Sequence, residues 1–245
     1  MVQFDKAIIV LPTYNEADNI ERMLQTLHKT QPQVHLLVVD DNSPDKTAEL
    51  VEKLIAQTQW PELHLLKRAG KAGLGTAYMA GFNWAMEKGF QYFMTMDSDF
   101  SHPPEEVPAM IAKAEKFDLV IGSRYIGGIR IINWPFRRLL LSSFASRYVR
   151  LILGVPFFDP TSGFNCFTRK AVEKLKFDKI LTRGYAWQVE LKFKVWSEGL
   201  ACVEHPIIFT ERRDGQSKMS KAVIFESAIS VFKLRLQKIL GLLNR

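Results

Sequence analysis

Short apolar runs alternate with helical patterns through the first half of the chain, and this alternation limits the possible folds more than any other feature. Five runs have the length and apolar composition of buried strands, and patterns with helical spacing separate them. A repeated strand–helix–strand order is typical of a mostly parallel sheet covered by helices. The predicted strands are 7–11, 34–39, 63–66, 92–96 and 118–122, and the predicted helices are 16–30, 47–57, the segment ending near 88, and 105–116.

Polar residues follow these strands at the points where the strands end. In open parallel sheets, ligands bind at the carboxyl ends of the strands. Because those ends meet at one edge of the sheet, side chains that are distant in sequence are expected to converge on one cleft. The residues concerned are Glu16, Asp41, Lys71, Asp97 and Asp99.

Asp97 and Asp99 form a pair of carboxylates directly after the fourth predicted strand. The two-residue spacing places both on the same side of an extended chain. Two carboxylates this close resist joint ionisation unless a cation balances them. Mg²⁺ or Mn²⁺, which prefers oxygen ligands and substrate phosphates, is the natural counter-ion. The alternative is a solvated acidic turn before the helix start at Pro103 and Pro104.

Acidic and aromatic residues also follow the first two predicted strands. Asp40 and Asp41 suit hydrogen bonds to a nucleobase or ribose, or they shape the start of the next helix as capping residues do; we expect one acid to serve each role. In the first loop, Tyr14 could pack on a flat base. Glu16 could cap its helix or contact a ligand, and the sequence favours neither role.

Two further loops combine glycine with basic residues. Residues 68–75 could bring Lys71 and backbone N–H groups near a phosphate, although a flexible turn has the same composition. Residues 211–218 follow an apparent edge strand, 207–210, and could close Arg212 and Lys218 over a diphosphate; the alternative is a solvated hairpin. The chain contains neither the Walker nor the dinucleotide glycine spacing.

The second half carries two basic, apolar segments, residues 130–153 and 221–245, which we interpret as amphipathic helices with basic faces. No apolar run reaches the 18 residues of a membrane span. The formal net charge of +7, from 33 basic and 26 acidic residues, suits anionic partners. With only two cysteines and no Cys-x-x-Cys pair, a reducing, cytoplasmic location is expected.

Taken together, eight motifs resemble those of the polyprenol-phosphate (dolichyl-phosphate) mannose synthases, which are inverting glycosyltransferases with the GT-A fold. The resemblance runs from about residue 7 to residue 220 and implies an α/β, Rossmann-like, mostly parallel sheet flanked by helices, with amphipathic helices in the C-terminal half. The motifs are LPTYNE (11–16), VVDDNSPDKT (38–47), KAGLG (71–75), MDSDFSHPPE (96–105), GSRY (122–125), DPTSGF (159–164), GYAWQVE (184–190) and ERRDGQSK (211–218).

The resemblance implies transfer of mannose from GDP-mannose to a polyprenyl monophosphate, with Mg²⁺ or Mn²⁺ as cofactor. Asp97, Asp99 and Ser101 match the metal and diphosphate positions. Gln188 and Glu190 lie in a motif near the sugar, with less defined roles. The donor-binding positions so implied are Pro12, Tyr14, Glu16, Asp41, Lys71, Gly73, Asp97, Asp99, Arg212 and Lys218.

Arg124, Arg138 and Ser142 match the positions that bind the acceptor phosphate. Because this phosphate is already anionic, it can attack the anomeric carbon without a protein base, and attack from the opposite face inverts that centre. The protein must then align the reactants and stabilise the leaving diphosphate. The catalytic positions so implied are Asp99, Arg124, Arg212 and Lys218.

The expected organisation is a catalytic domain over 1–220 and a C-terminal amphipathic helix over 221–245, with no transmembrane segment. We expect peripheral contact with the cytoplasmic face of a membrane, either alone or through a small membrane-anchoring subunit. One alternative is a transferase of the same fold with another donor, such as UDP-glucose. A second is a basic nucleic-acid-binding protein, which predicts salt-sensitive binding but leaves the acidic loops unexplained.

Overall fold

The computed structural model describes residues 3–177, 180, 182, 186–210 and 221–243. Arg212 and Lys218, predicted to bind the donor, lie outside the described residues. The fold predicted from the alternating pattern is confirmed, with a seven-stranded sheet and helices on both faces.

The main sheet has the strand order β3-β2-β1-β4-β7-β5-β8. Its neighbouring strands are parallel except β7, which runs antiparallel to both β4 and β5. Two short strands, β6 and β9, pair in a separate parallel ribbon. The strands are β1 (Ala7–Thr13), β2 (His35–Asp40), β3 (Leu63–Lys67), β4 (Tyr92–Thr95), β5 (Leu119–Ser123), β6 (Ile131–Ile132), β7 (Asn165–Thr168), β8 (Cys202–Pro206) and β9 (Phe209–Thr210).

Helices cover both faces of the sheet, because its central strands alternate apolar side chains between two cores. On β1, Ile8 and Val10 point to the core with α3 and α7, whereas Ile9 and Leu11 point to the core with α1 and α4. Strands buried on both faces need this continuous apolar composition. The helices are α1 (Ile20–Thr30), α2 (Thr47–Thr58), α3 (Leu74–Glu87), α4 (Val107–Lys113), α5 (Phe136–Leu153), α6 (Arg169–Lys174), α7 (Ala186–Ser197) and α8 (Lys221–Ile239).

The structure corrects the predicted boundaries in three places. Helix α1 begins at Ile20 rather than residue 16, because the preceding residues form a turn bonded to the loop after β2. The helix predicted over 105–116 is a 3₁₀ turn at Pro104–Glu106 followed by α4. Of the strand predicted at 207–210, only Phe209–Thr210 forms a strand, which is β9. The preceding strand, β8, is the one that joins the main sheet, where it pairs with β5.

Helices α5 and α8 pack together, and Tyr148 on α5 donates its hydroxyl to the carbonyl of Ala228 on α8 at 3.0 Å. Their inner sides belong to the main core through Val149 on α5 and Val231 on α8. The outer side of α5, in the first of the two segments predicted to be amphipathic with a basic face, carries exposed arginines such as Arg147 and also exposed apolar residues such as Phe144, at 62% exposure. None of the described helices is long and apolar enough to cross a membrane.

Two histidines meet at the amino-terminal edge of the sheet, opposite the edge where the acidic loops lie. His35 Nδ1 and His64 Nε2 are 3.0 Å apart, so one ring donates a hydrogen bond to the other. Burial lowers the pKa of both rings, that of His64 to about 4. Glu62 opposes the shift in each ring, whereas Lys6 adds to it in His35 and Lys88 adds to it in His64. The folded state therefore favours neutral rings.

A histidine whose pKa is lowered on folding stabilises the protein above its unfolded pKa, and that contribution is lost as the pH falls. We expect the free energy of unfolding to decrease between pH 6.5 and 4, with about 1–2 kcal/mol from His64 after allowance for solvent screening. Urea titrations should show a smaller decrease in His64→Gln. His28→Gln, a control on α1, should keep the wild-type pH dependence; equal slopes in all three proteins would contradict the assignment.

Candidate active site

The loops after β1 and β2 are joined by backbone-to-side-chain hydrogen bonds. The Asn15 amide donates to Ser43 Oγ at 3.1 Å, and the Ala17 amide donates to Asp45 Oδ2 at 2.9 Å. Both loops emerge from adjacent parallel strands, so they lie side by side at the carboxyl edge. The Asp41 amide also donates to the Thr13 carbonyl at 3.1 Å, so the loop that carries Tyr14 and Glu16 begins next to Asp41.

Asp40 and Asp41 have different surroundings although they are adjacent in sequence. Asp40 is buried and accepts hydrogen bonds from the hydroxyls of Thr13, at 2.8 Å, and Ser43, at 2.6 Å, so it shapes the loop. Asp41 Oδ1 instead pairs with Arg68 Nη1 at 2.7 Å. Asp45 Oδ1 accepts hydrogen bonds from the amide and the hydroxyl of Thr47, the first residue of α2, and neither Asp40 nor Asp41 caps this helix.

Arg68 was not singled out by the sequence, although it begins the glycine-rich loop. Besides Asp41, its guanidinium donates to Thr76 Oγ1 in the first turn of α3 at 2.7 Å. It therefore bridges the loop after β2 to the start of α3. Burial raises the pKa of Asp41, and the positive charge of Arg68 opposes that shift.

The glycine-rich loop places Lys71 at the mouth of the cleft. Lys71 Nζ lies 4.1 Å from the ring centre of Tyr14, so these two predicted donor residues meet. Gly73 precedes α3 with φ of +103°, a conformation that favours glycine. A Cβ on Gly75 would lie 2.7 Å from the Trp187 ring, so this glycine permits close packing of α7 against α3.

Asp97 and Asp99 follow β4 at the centre of the sheet edge. The Tyr78 hydroxyl lies 3.4 Å from Asp97 Oδ1, and Asp99 Oδ1 accepts the amide proton of Ser101 at 3.1 Å. His102 Nδ1 accepts the amide proton of Asp97 at 3.0 Å. The loop that carries both carboxylates is therefore held from inside.

The side chains of Asp97 and Asp99 suit a hard divalent cation, because such cations prefer carboxylate oxygens as ligands. Within the described residues, no three acidic, histidine or cysteine side chains form a complete metal cage. Mg²⁺ characteristically binds through one or two carboxylates and substrate phosphates, so Asp97 and Asp99 suffice in number. Ser101, the third residue predicted to hold the metal, is buried, and its amide donates to Asp99 Oδ1.

Arg124 lies at the end of β5 in a buried ion pair. Its Nε and Nη2 donate to the two carboxylate oxygens of Asp159 at 2.6 and 2.7 Å, and Nη2 also donates to Thr161 Oγ1. Burial alone would raise the pKa of Asp159, but Arg124 holds it below its ordinary value. The sequence predicted an arginine that binds phosphate directly; the structure gives much of its guanidinium an internal partner.

The other predicted acceptor residues lie near this pair. Arg138 Cζ is 4.2 Å from the ring centre of Trp134, and Arg124 Cζ is 5.8 Å from the same ring. Ser142 Oγ accepts a hydrogen bond from the hydroxyl of Tyr125 at 2.8 Å. The structure therefore groups the three predicted acceptor residues around Tyr125 and Trp134.

A row of aromatic rings connects this acceptor group to the acidic loop. The Phe209 ring contacts His102 edge-on, with 5.6 Å between ring centres, and Trp134 in the same way at 5.4 Å. Since His102 also binds the Asp97 amide, the two groups of predicted residues lie at adjoining parts of one site. His102 and Asp159 belong to quoted motifs, but nothing in their spacing indicated these contacts.

Helix α7 lies beneath the site and contributes buried polar residues. Gln188 Oε1 accepts a hydrogen bond from Asn165 Nδ2 at 3.0 Å, and Glu190 accepts from the amide and hydroxyl of Thr182 and pairs with Lys194. Glu190 is completely buried. These internal polar contacts account for the presence of Gln188 and Glu190 in a buried helix without requiring that Glu190 touch a ligand.

Comparison with known proteins agrees with this geometry. Residues 8–176 match the family described as glycosyl transferase family 2. The chain is 41% identical over 241 residues to the polyprenol monophosphomannose synthase of Mycolicibacterium smegmatis, covering 98% of this chain and 89% of the relative. It is 38% identical over 226 residues to the undecaprenyl-phosphate mannosyltransferase of Micrococcus luteus, covering 92% of each.

Among solved structures, the mannosyltransferase PcManGT of Pyrobaculum calidifontis, in complex with GDP-mannose and Mn²⁺, superposes with a TM-score of 0.62 at 17% identity. The match covers 96% of this chain and 64% of that one. At this identity the match establishes the GT-A fold alone. The fold and the two close relatives together lead to one conclusion: the chain is a glycosyltransferase that belongs to glycosyl transferase family 2, in the group of polyprenol-phosphate mannose synthases.

Proposed function

We propose that this chain transfers mannose from GDP-mannose to the phosphate of a polyprenyl monophosphate, with inversion at the anomeric carbon. The observation that carries this proposal is the adjacency of two charged groups of opposite sign. Asp41, Asp97 and Asp99 follow β2 and β4 at one edge of the sheet, and Arg124, which follows β5 and interacts electrostatically with Asp97, lies near the same ring as Arg138. Such an arrangement suits a reaction that brings two phosphate-bearing substrates together.

In the proposed reaction, a phosphate oxygen of the lipid forms a bond to the anomeric carbon while the bond from that carbon to GDP breaks. The acceptor is an anion at neutral pH, so it needs no proton removed. Asp97 and Asp99, with Ser101, would hold Mg²⁺ or Mn²⁺, which neutralises charge on the diphosphate. We also propose that Arg212 and Lys218 stabilise the leaving diphosphate.

The donor half of the site would hold the nucleoside between the first two loops. Pro12, Tyr14 and Glu16 lie on one side and Asp41 on the other, with Lys71 and Gly73 at the phosphate end. In the acceptor half, Arg138 and Ser142 would contact the phosphate. Arg124 would act mainly as a positioning residue, because Asp159 already occupies two of its nitrogens.

The outer faces of α5 and α8 support a peripheral membrane contact. The large hydrophobic side chains with high exposure in the described part of the chain all lie between Ile129 and Leu242. Both helices also carry exposed basic residues, such as Arg147 and Lys233. Apolar side chains next to basic ones favour the headgroup region of an anionic membrane, where the lipid acceptor resides. A cytoplasmic face and a small membrane-anchoring subunit remain part of this proposal.

Radiolabelled transfer into organic-extractable lipid tests the reaction, with GDP-mannose and UDP-glucose offered in parallel. We expect label from GDP-mannose only, and loss of transfer with EDTA that added Mg²⁺ or Mn²⁺ restores. Asp99→Asn should lower kcat by on the order of 100-fold or more, because charge on the leaving group is then poorly stabilised. Asp5→Asn, at the opposite sheet edge, is the matched control. Near-normal turnover of Asp99→Asn at saturating donor would refute the assignment.

Arg68 provides a test of the nucleoside half alone. Arg68→Ala removes the bridge from Asp41 to Thr76, and we expect the KM for GDP-mannose to rise about tenfold. The KM for polyprenyl phosphate should not change. Lys67→Ala is a suitable control, because Lys67 pairs with Glu52 on the surface. An equal rise in both KM values would indicate a general structural defect instead.

Co-sedimentation with phosphatidylglycerol-containing liposomes tests the membrane contact. The Phe144→Glu/Phe232→Glu double variant replaces two exposed apolar side chains, and we expect its bound fraction to fall by on the order of tenfold or more. The Gln57→Glu/Asn83→Glu control adds the same charge on exposed positions of α2 and α3. Wild-type protein that stays in the supernatant at low salt would refute the proposed docking.

A further inference from the structure

Among the residues that the structure describes, the indole N–H of Trp134 has no hydrogen-bond partner, and its ring lies near Arg124 and Arg138. Trp134 lies between β6 and the start of α5 and is partly buried. Its Nε1 is shielded from solvent and finds no hydrogen-bond acceptor among the residues that the structure describes. A shielded donor without an acceptor is unfavourable, and buried indoles normally find one. Such a donor is tolerated where a ligand supplies the acceptor.

Two arginine side chains lie near the ring of the same indole. Arg138 Cζ lies 4.2 Å from the ring centre and Arg124 Cζ lies 5.8 Å from it. Both guanidinium groups are therefore near the same ring. Attraction between a cation and an aromatic face orients an arginine without using its N–H donors. The ring therefore helps to fix the position of the Arg138 guanidinium, while other contacts direct its N–H groups.

A second tryptophan, Trp187, shows why an unpaired indole N–H alone does not indicate a ligand-binding residue. Trp187 Nε1 also lacks an acceptor among the described residues, but its ring is completely buried, stacks on Tyr78 and packs against Gly75. No arginine lies over its face in the described contacts. Packing accounts for Trp187, whereas Trp134 combines the unpaired donor with two nearby cations.

We propose that Trp134 is a further substrate-binding residue of the acceptor site: its Nε1–H donates to the phosphate of the prenyl monophosphate, and its ring face orients Arg138 toward the same group. This inference rests on the proposed function. Because Asp159 neutralises much of the charge on Arg124, a neutral, directional donor beside Arg138 supplements the positive charge. It also helps to select a phosphate, which offers several acceptor oxygens.

Steady-state kinetics of Trp134→Phe test the N–H separately from the ring. Phenylalanine keeps an aromatic face for Arg138 but has no donor. We expect the KM for polyprenyl phosphate to rise about tenfold, with the KM for GDP-mannose and kcat at saturating acceptor unchanged. Trp134→Leu removes the face as well and should raise the acceptor KM further.

Trp196→Phe is the matched control, because Lys238 Nζ lies 3.9 Å from that ring at the contact between α7 and α8. This variant changes a tryptophan under a cation outside the acceptor group and should retain wild-type kinetics. Thermal unfolding of all variants checks that the fold is intact. If Trp134→Phe has the wild-type acceptor KM, or if both its KM values rise together, the inference is overturned.

Direct binding separates this inference from the proposed function. Tryptophan emission should change when a short-chain prenyl monophosphate is added to the wild type, and the change should be lost or weakened in Trp134→Phe but retained in Trp196→Phe. Inorganic phosphate in a parallel titration shows whether the phosphate group alone suffices. A wild type that transfers no mannose would refute the proposed function, whereas equal emission changes in all proteins would refute the role of Trp134.

Discussion

The parallel pairing of β1 with β2 on one side and with β4 on the other is the constraint on which the site depends. In this register the three strands end at the same edge, so the loops after them must lie together. The first loop binds the second through backbone amides, and the loop after β4 carries Asp97 and Asp99 at the same edge. The acidic residues gather because of the backbone, before any ligand is present.

The region around Arg124 depends on a different feature, the antiparallel β7 inserted between β4 and β5. The segment leading into β7 carries Asp159 across to the end of β5, where it pairs with Arg124. A buried pair of this kind is stabilising only when the desolvated charges are fully matched by hydrogen bonds. Thr161 and the backbone amide of Arg124 complete that match here. The pair therefore organises the region in which Arg138 and Trp134 meet.

Sequence reasoning succeeded for the elements with a strong pattern, which are β1 to β5 and the helices between them. It also predicted that the loops after β1, β2 and β4 lie together, because the rule that ligands bind at the carboxyl ends of parallel strands needs only strand order and loop position. It missed Arg68, since an arginine at the start of a glycine-rich loop has no distinctive spacing. It missed β7 because a four-residue antiparallel strand has too little pattern to reveal its neighbours.

The alternating pattern and the motifs by themselves determined the fold class, the sheet edge that carries the site and the family to which the chain belongs. These are local properties, because apolar periodicity and short motifs are written within a few consecutive residues. Only the tertiary structure decided that Arg124 pairs with Asp159, that His102 accepts a hydrogen bond from the Asp97 amide and that Trp134 lies near two arginines. Those contacts join residues far apart in sequence, and they arise from how the strands and helices pack rather than from any spacing along the chain.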